Sequence, residues 1–413
     1  MTEAGTLDVF TDWYLKQFPP QQELAERRVA IKKEYPIVDA QTFRAADVRL
    51  IFPHLTQADW TPILDEKGKI KSLTKDGVEI TTGIGWCTLR ISIPFSTHLF
   101  IAARMIEEVE NEVADLCWEK KMRVLGYGIQ PLSYPDRYFS VPEYGTSLFQ
   151  NRRLHPHVDP LTIAARDVVL VEMNREEISQ AINILNALSG PIIWLFANSP
   201  VWRGEMDPLS RMAVRADAGT AMTESMFGGT PPIIFGNNKD LISYLTSHFS
   251  ERKLLRRLQS KEHDWREDWT DYEEHIWLDA RPRTKYKALE IIVPCSQKTG
   301  ENRHLMALIL GLMENLNGAS KLLDDFLMRN RVNLRRFAIC NPPSDAMSGL
   351  IEKMLSVSRE GLKKRGYEEE IFLTHLRTRL RECKNPATEA LKIFKQRNGM
   401  PRLIDSVDVR NVP

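Results

Sequence analysis

The stretch GVEITTGIGWCTLRISIP, residues 77–94, decides how the chain is read. Residues 78–82 and 87–93 are predicted β segments, rich in β-branched side chains, on either side of a Gly83-Ile84-Gly85-Trp86 turn. Side chains alternate faces along a strand, so Leu89, Ile91 and Ile93 share one face and Thr88, Arg90 and Ser92 the other. The apolar face must meet a core. The opposite face then lines solvent or a cavity, with Arg90 at its centre.

Further strands are expected at 28–38, 69–73, 124–130, 167–173 and 288–293. A long helix is expected over 99–121, where Ile101, Met105, Ile106, Val109, Val113 and Leu116 recur at helical spacing. A second helix should follow Asn174 as N-cap, with Glu177 at the capping-box position and Gly190 as its closing residue. Residues 1–26 read as an amphipathic lead-in broken at Pro19-Pro20, and 131–145 as a Pro- and Tyr-rich loop. Residues 197–240, rich in Gly, Pro and Asn, read as long loops over a site, and 251–274 as an exposed charged helix plus linker. From Glu301 onward the pattern is helical, broken at Pro342-Pro343 and Asn385-Pro386. Strands interspersed with long helices and loops indicate an α+β fold rather than a regular βαβ repeat. The expected organisation is a lead-in over 1–26, a main domain over 27–315 and a helical C-terminal extension over 316–413 packed on it.

With 43% hydrophobic and 27% charged residues and a net charge of +1, the 413-residue chain has the composition of a soluble globular protein. Balanced charge gives no reason to expect a nucleic-acid or acidic-membrane surface. The segment MTEAGTLDVF lacks a basic region followed by an apolar core, so no secretory signal is expected. The apolar run beginning at Gly190 is too short and too polar to span a bilayer. Five scattered cysteines without a CxxC argue against a disulfide framework or a structural zinc site and point to a reducing cytoplasm. No Gly-rich phosphate loop, GxSxG elbow or HExxH is found.

Several strands present chemistry to one face: Lys32 with Glu34, Arg90 between Thr88 and Ser92, Glu172 beyond Val168 and Leu170, and Glu290 beside Ile292. A strand carboxylate among apolar neighbours must be paired, metal-bound or water-facing. For Glu290 taken alone, an edge glutamate paired with a nearby Lys or Arg is the simpler reading. His155 and His157, with Asp159, form either a proline-rich surface loop, the simpler reading, or a small donor set for a metal. Cys87 and Cys295 have no base at short spacing and read as buried small hydrophobes. Arg203, Arg211 and Arg215 read as surface arginines or as the mouth of a site. The mixed-sign run at 251–269 is a solvated face, and the Met-rich segment 305–313 is core.

Five strings carry a resemblance: KEYPIVDA (33–40), TPILDEKGKI (61–70), DGVEITTGIGWCTL (76–89), LNALSGPIIWLFANSPVWRG (185–204) and WLDARPRTKYKALEIIVPCSQ (277–297). In order and spacing, over 27–315, they resemble the carboxylate–amine ligase family related to glutamate–cysteine ligase. Ala197-Asn198-Ser199-Pro200 with Trp202 and Gly204 is the most specific piece, followed by Leu289-Glu290-Ile291 after Arg281-Pro282-Arg283. The resemblance implies a curved, mainly antiparallel sheet similar to that of glutamine synthetase, with helices on its convex face. It implies ATP and a divalent metal, usually magnesium, on the concave face, where ATP activates a carboxylate for attack by an amine. It implies that Glu34, Glu172 and Glu290 are metal ligands and that Lys32, Arg90 and Arg283 act on the reacting groups. Asn198, Trp202, Arg203, Arg211 and Arg281 are the implied cofactor-binding residues.

Five positions depart from the family pattern. Lys32 stands where the first strand would carry an acid, and Arg90 where the second would carry Glu. Val168 and Leu170 stand near positions usually polar, and Ile292 replaces an expected Arg. At an effective dielectric near 20, a cation ~5 Å from a divalent ion is repelled by about 6 kcal/mol, enough to empty an ordinary metal site. Lys32 and Arg90 are instead expected to pair with Glu34 and Glu290, turning a metal cluster into a salt-bridge cluster. Three functions follow as expectations. The first is a non-catalytic or regulatory ligase subunit, paired with a homologous ligase chain or a further copy of itself. The others are an ATP-dependent ligase forming an amide on an amino-acid-like carboxylate, and a metal-independent binder of an anionic small molecule.

Overall fold

The main sheet of the computed structural model has nine strands, and every ladder in it is antiparallel. The structure describes residues 3–141, 159–209, 211–214, 228–231, 233–247, 269–270, 273, 276–340 and 343–410. The strands are β1 (Val29–Asp39), β2 (Thr61–Leu64), β3 (Ile70–Lys75), β4 (Val78–Thr82), β5 (Thr88–Ser92), β6 (Met122–Val124), β7 (Asp167–Glu172), β8 (Ala280–Arg283) and β9 (Ala288–Ile291). Their order is β8-β9-β7-β1-β5-β4-β3-β2, with β6 pairing the far end of β1. The 11-residue β1 is therefore the hub: β5 lies along one edge, and β7 then β6 along the other.

One face of the sheet is packed by helices. Ile31 and Tyr35 of β1, Leu89 and Ile91 of β5, Val169 and Val171 of β7 and Leu289 of β9 belong to the principal core. They share it with Ile106 and Val113 of the long helix Leu99–Glu119 and with Leu305 and Ile309 of the helix Asn302–Glu314. The Met-rich segment lies in that core as expected, with Met306 and Met313 fully buried. The helices used below are α1 (Glu3–Lys16), α2 (Leu99–Glu119), α3 (Ile178–Ala187), α4 (Ser189–Leu195), α5 (Asn302–Glu314), α6 (Asp325–Cys340), α7 (Asp345–Arg365), α8 (Leu373–Arg381), α9 (Pro386–Phe394) and α10 (Gly399–Val407). The α+β class and the helical C-terminal region thus match the sequence reading. No single helix among the described residues is long and apolar enough to cross a membrane.

Several local expectations are corrected. The strand expected at 124–130 ends at Val124; beyond it only isolated bridges form, at Leu125 and Ile129. Asn174 and Glu177 do bond to one another, Asn174 Oδ1 accepting from the Glu177 amide at 3.1 Å, but α3 starts only at Ile178. Gly190 does not close that helix. It lies inside α4, and a Cβ there would come within 2.9 Å of the Leu334 backbone in α6, so it is a helix-crossing glycine. The segment 280–283, where no strand is expected from the sequence, is itself a strand paired with β9. The charged run 251–268 lies outside the described residues, but Trp269 and Glu273 at its end are buried rather than exposed.

Candidate functional site

The face of the sheet opposite the helices is built by strand alternation. It carries Lys32 and Glu34 of β1, Arg90 of β5, Val168, Leu170 and Glu172 of β7, Arg281 and Arg283 of β8 and Glu290 of β9. Antiparallel register places Glu34 opposite Arg90 and Arg281 opposite Glu290, so each carboxylate has a cation for a cross-strand neighbour.

Glu290, 3% exposed, is the centre. Its Oε1 accepts from Lys32 Nζ at 3.1 Å, and its Oε2 from Arg281 Nε at 2.7 Å and Arg283 Nη1 at 3.0 Å. Burial alone would raise its pKa, but Lys32, Arg281, Arg283 and Arg166 together outweigh that and hold it well below the ordinary carboxylate range. Glu34 accepts from Arg90 Nη2 at 2.6 Å and Nε at 3.1 Å, and its other oxygen faces Arg166 Nε at 3.6 Å. Glu172 takes a bidentate pair from Arg28, with Nη2 at 2.5 Å and Nε at 2.8 Å. Glu273 joins through Arg283 at 3.9 Å and accepts from the Thr284 hydroxyl at 2.9 Å; burial pushes its pKa up to about 7.

Between these charges the face is apolar. Val168, Leu170, Ala288 and Ile292 pack with Trp277, Leu161 and Ile84 into a separate small core. Aromatic rings also cover the cations: Lys32 Nζ stands 3.9 Å from the Tyr286 centroid, and the Arg166 guanidinium 4.9 Å from that of Trp277.

The sheet thus brings together Lys32, Glu34, Arg90, Arg281, Arg283 and Glu290 as one ionic cluster. Glu172 sits at its margin with Arg28. The remaining expected cofactor residues fall elsewhere. Trp202 lies in a second core with Tyr127, Val201 and Leu403 and donates from Nε1 to Asp207 at 2.9 Å. Arg211 clasps the same Asp207, with Nη2 at 2.6 Å and Nε at 3.0 Å, and the Arg203 guanidinium lies 3.8 Å from the Trp202 ring centroid. Asn198 Nδ2 donates to the carbonyls of Gly126 and Ser296 at 2.9 and 2.8 Å, tying two chain segments together. Trp202 and Arg211 thus hold Asp207 while Arg203 covers the Trp202 ring, and Asn198 separately braces the Gly126 and Ser296 segments. His155, His157 and Arg215 lie outside the described residues. Cys87 and Cys295 are buried as expected, and burial pushes the Cys87 thiol up to about 12.

Two participants escape the sequence reading. Arg166 shares the parity of Val168 and Leu170, so extending the alternation one residue before β7 places it on the ionic face. Glu273 is hidden within a charged run, and its only signal is the aromatic Trp269 one helical turn earlier, whose Nε1 donates to it at 2.9 Å.

No family model matches the sequence, and no curated protein matches it. Solved structures do. The chain superposes over 97% of its length on a bifunctional glutathione synthetase from Pasteurella multocida, at a TM-score of 0.59 and 12% identity. It spans 53% of that protein, about half its length. It superposes over 93% of its length on glutamate–cysteine ligase from Francisella tularensis in complex with AMP, at a TM-score of 0.57 and 12% identity, covering 88% of that chain. The fold is therefore that of glutamate–cysteine ligase and related carboxylate–amine ligases.

Proposed function

We propose that the chain is a ligase-fold protein that performs no metal–ATP chemistry on its sheet face and acts as a non-catalytic or regulatory subunit of a carboxylate–amine ligase. The observation that carries this reading is the occupation of Glu34 and Glu290. Each is engaged by at least two basic side chains, in positions where the family pattern implies oxygen ligands for magnesium. Magnesium needs several oxygens in near-octahedral array and binds through carboxylates that are not already neutralised. Here an ion would have to displace Lys32, Arg90, Arg281 or Arg283 from a buried carboxylate, leaving a desolvated cation beside a divalent charge. Val168 and Leu170 offer it no further donors. The donor set does not fit the group.

A second reading rests on a different observation. Five basic side chains, Lys32, Arg90, Arg166, Arg281 and Arg283, meet three carboxylates, Glu34, Glu273 and Glu290, and burial keeps Glu273 partly protonated at neutral pH. Arg166 Nη1 is buried without a partner among the described residues. This surplus of positive charge suits a small carboxylate or phosphate bound without metal.

One calorimetric series tests both. The purified chain is titrated with ATP, with ATP plus magnesium, and with inorganic phosphate. The subunit reading expects no binding that requires magnesium, and co-purification with a ligase chain whose own acids are intact. Magnesium-dependent ATP binding together with amide formation by the chain alone overturns it. Saturable phosphate binding that is indifferent to magnesium, and is lost in Arg90→Glu, selects the anion-binding reading.

A further inference from the structure

On the helical side of the molecule, Glu301, His304 and His375 come together. Glu301 precedes α5, His304 lies one turn later on the same helix, and His375 comes from α8. One donor atom from each lies within 4.8 Å of the other two, and this is the only such His/Cys/Asp/Glu group among the described residues. His375 Nε2 stands 3.5 Å from Glu301 Oε1. The two imidazoles are stacked, with centroids 4.7 Å apart and planes 18° apart.

The surroundings fix these groups as donors. His304 Nδ1 lies 2.7 Å from the Phe372 carbonyl oxygen. A carbonyl only accepts, so Nδ1 carries the proton and Nε2 keeps its lone pair. An imidazole held by a backbone carbonyl through its far nitrogen is the usual orientation of a metal-bound histidine. Arg379, one turn beyond His375 on α8, donates to Glu301 Oε2 and, at 2.8 Å, to the Leu195 carbonyl. That grip leaves Oε1 turned toward His375. Two neutral imidazoles and one carboxylate are the protein donors of an open zinc site, in which a fourth position is left to water or a ligand. Such a position exists here. Glu301, His375 and Arg379 line a cavity of about 320 Å³ that Lys298, Asn385 and Glu389 help to enclose.

Tetrahedral zinc with bonds of about 2.1 Å needs donors about 3.4 Å apart. The Glu301–His375 separation already satisfies this, and the half-exposed His375 ring has room to turn inward. Arg379 repels a bound ion, but the Glu301 carboxylate stands between them and attracts at shorter range. Nitrogen donors also bind a transition ion far more strongly than the oxygen ligands magnesium uses.

We propose that Glu301, His304 and His375 form a divalent transition-metal site of the zinc type, with its open position facing the adjacent cavity. It stands apart from the sheet-face cluster and does not depend on the function proposed for that cluster. The full chain, stripped with chelator, is loaded with zinc, freed of excess by gel filtration and assayed for retained metal. Cobalt substitution reports coordination geometry by visible absorption. The expected result is about one zinc retained per chain and a tetrahedral cobalt spectrum. His375→Ala should lower affinity about tenfold or more, because it removes one of three ligands while leaving an exposed position on a helix. His375→Cys, which supplies a thiolate, should restore binding and add a sulfur-to-cobalt charge-transfer band. Circular dichroism confirms that both variants are folded. No retained zinc in the wild-type chain overturns the proposal. So does equal retention by wild type and His375→Ala, as binding by other histidines of the chain would give.

Discussion

Two carboxylates on neighbouring strands titrate in opposite senses, and the faces they occupy explain why. Glu290 faces four cations, so its folded pKa lies well below its ordinary value of 4.5. The stability it contributes is present above about pH 4.5 and is lost as the pH falls through the depressed value. Asp167 points the other way, into the helix layer, where burial pushes its pKa up to about 8 and Lys33 opposes this only in part. For Asp167 the sign reverses. Its contribution is complete below its ordinary value of 3.8 and is lost as the pH rises through about 8. From about pH 5 to pH 8 this one group should lower stability by roughly 1 kcal/mol per pH unit. Glu273, raised to about 7, adds a slope of the same sign that ends sooner. In Asp167→Asn, urea unfolding across this range should show a distinctly flatter dependence; an unchanged slope would assign the effect elsewhere. The charged groups near Asp167, Lys33 and Glu110, are legible in the sequence. Alternation that puts Lys32 and Glu34 on the ionic face puts Lys33 in the core with Ile31 and Tyr35. Lys33 does lie there, fully buried, with its Nζ 2.8 Å from Glu110. Glu110 falls on the apolar stripe of α2 between Ile106 and Val113, and an acid on such a stripe announces a buried cation opposite. The Tyr35 hydroxyl donates to the same carboxylate.

At the scale of elements, the strands at 78–82 and 88–92 were readable because β-branched residues alternate cleanly with polar ones. β8 was not, because Pro282 and two arginines hide the alternation; the strand forms because both arginines find Glu290. Helix crossings were equally hidden, since a glycine inside a helical pattern reads as weak helix or as a stop. Gly311 of α5 and Gly361 of α7 show what such residues do. A Cβ on Gly361 would lie 2.0 Å from the Gly311 carbonyl oxygen, and one on Gly311 would lie 2.3 Å from the Ser358 carbonyl oxygen. Ser358 Oγ completes the contact by donating to the Leu308 carbonyl at 3.0 Å. Helix propensity alone would make Gly→Ala stabilising by about 1 kcal/mol. Overlap with a backbone atom that cannot swing aside outweighs this, since overpacking costs about 1–3 kcal/mol. Gly361→Ala should therefore destabilise by about 1 kcal/mol net. Gly349→Ala, in the same helix with nothing within 4 Å of its Cβ, should stabilise by up to about 1 kcal/mol. Chemical denaturation of the pair measures the contrast, and equal signs would show that α5 and α7 do not cross this closely.

For the molecule as a whole, the question is whether the helices after residue 315 form an appendage or part of the main cooperative unit. The sequence marks 316–413 as an extension packed on the main domain, because strands cease and only helices follow. Packing argues for the second. Leu334 of α6, Ile351, Met354, Leu355 and Leu362 of α7 and Leu376 of α8 belong to the same continuous core as Ile31, Ile91 and Val169 of the sheet. Farther along, Ala390 of α9 and Leu403, Ile404 and Val407 of α10 close the second core around Tyr127 and Val201. Polar ties reinforce this: Asn385, which caps α9, donates to the Trp194 carbonyl at 3.0 Å, and Arg365 of α7 joins Glu314 of α5 at 2.6 Å. Removing these helices would bare α5, whose residues Leu305 to Met313 are buried on all sides, and so expose an apolar surface that water disfavours by about 25 cal/mol per Å². A chain whose principal core is shared by the sheet and the C-terminal helices unfolds as one unit when neither can open without exposing the other. Scanning calorimetry of the full chain should accordingly show a single transition, with Gly361→Ala lowering the whole peak rather than splitting off a shoulder. Two resolved transitions, or a fragment ending at residue 320 that stays monomeric and melts cooperatively, would establish the C-terminal helices as a separate unit.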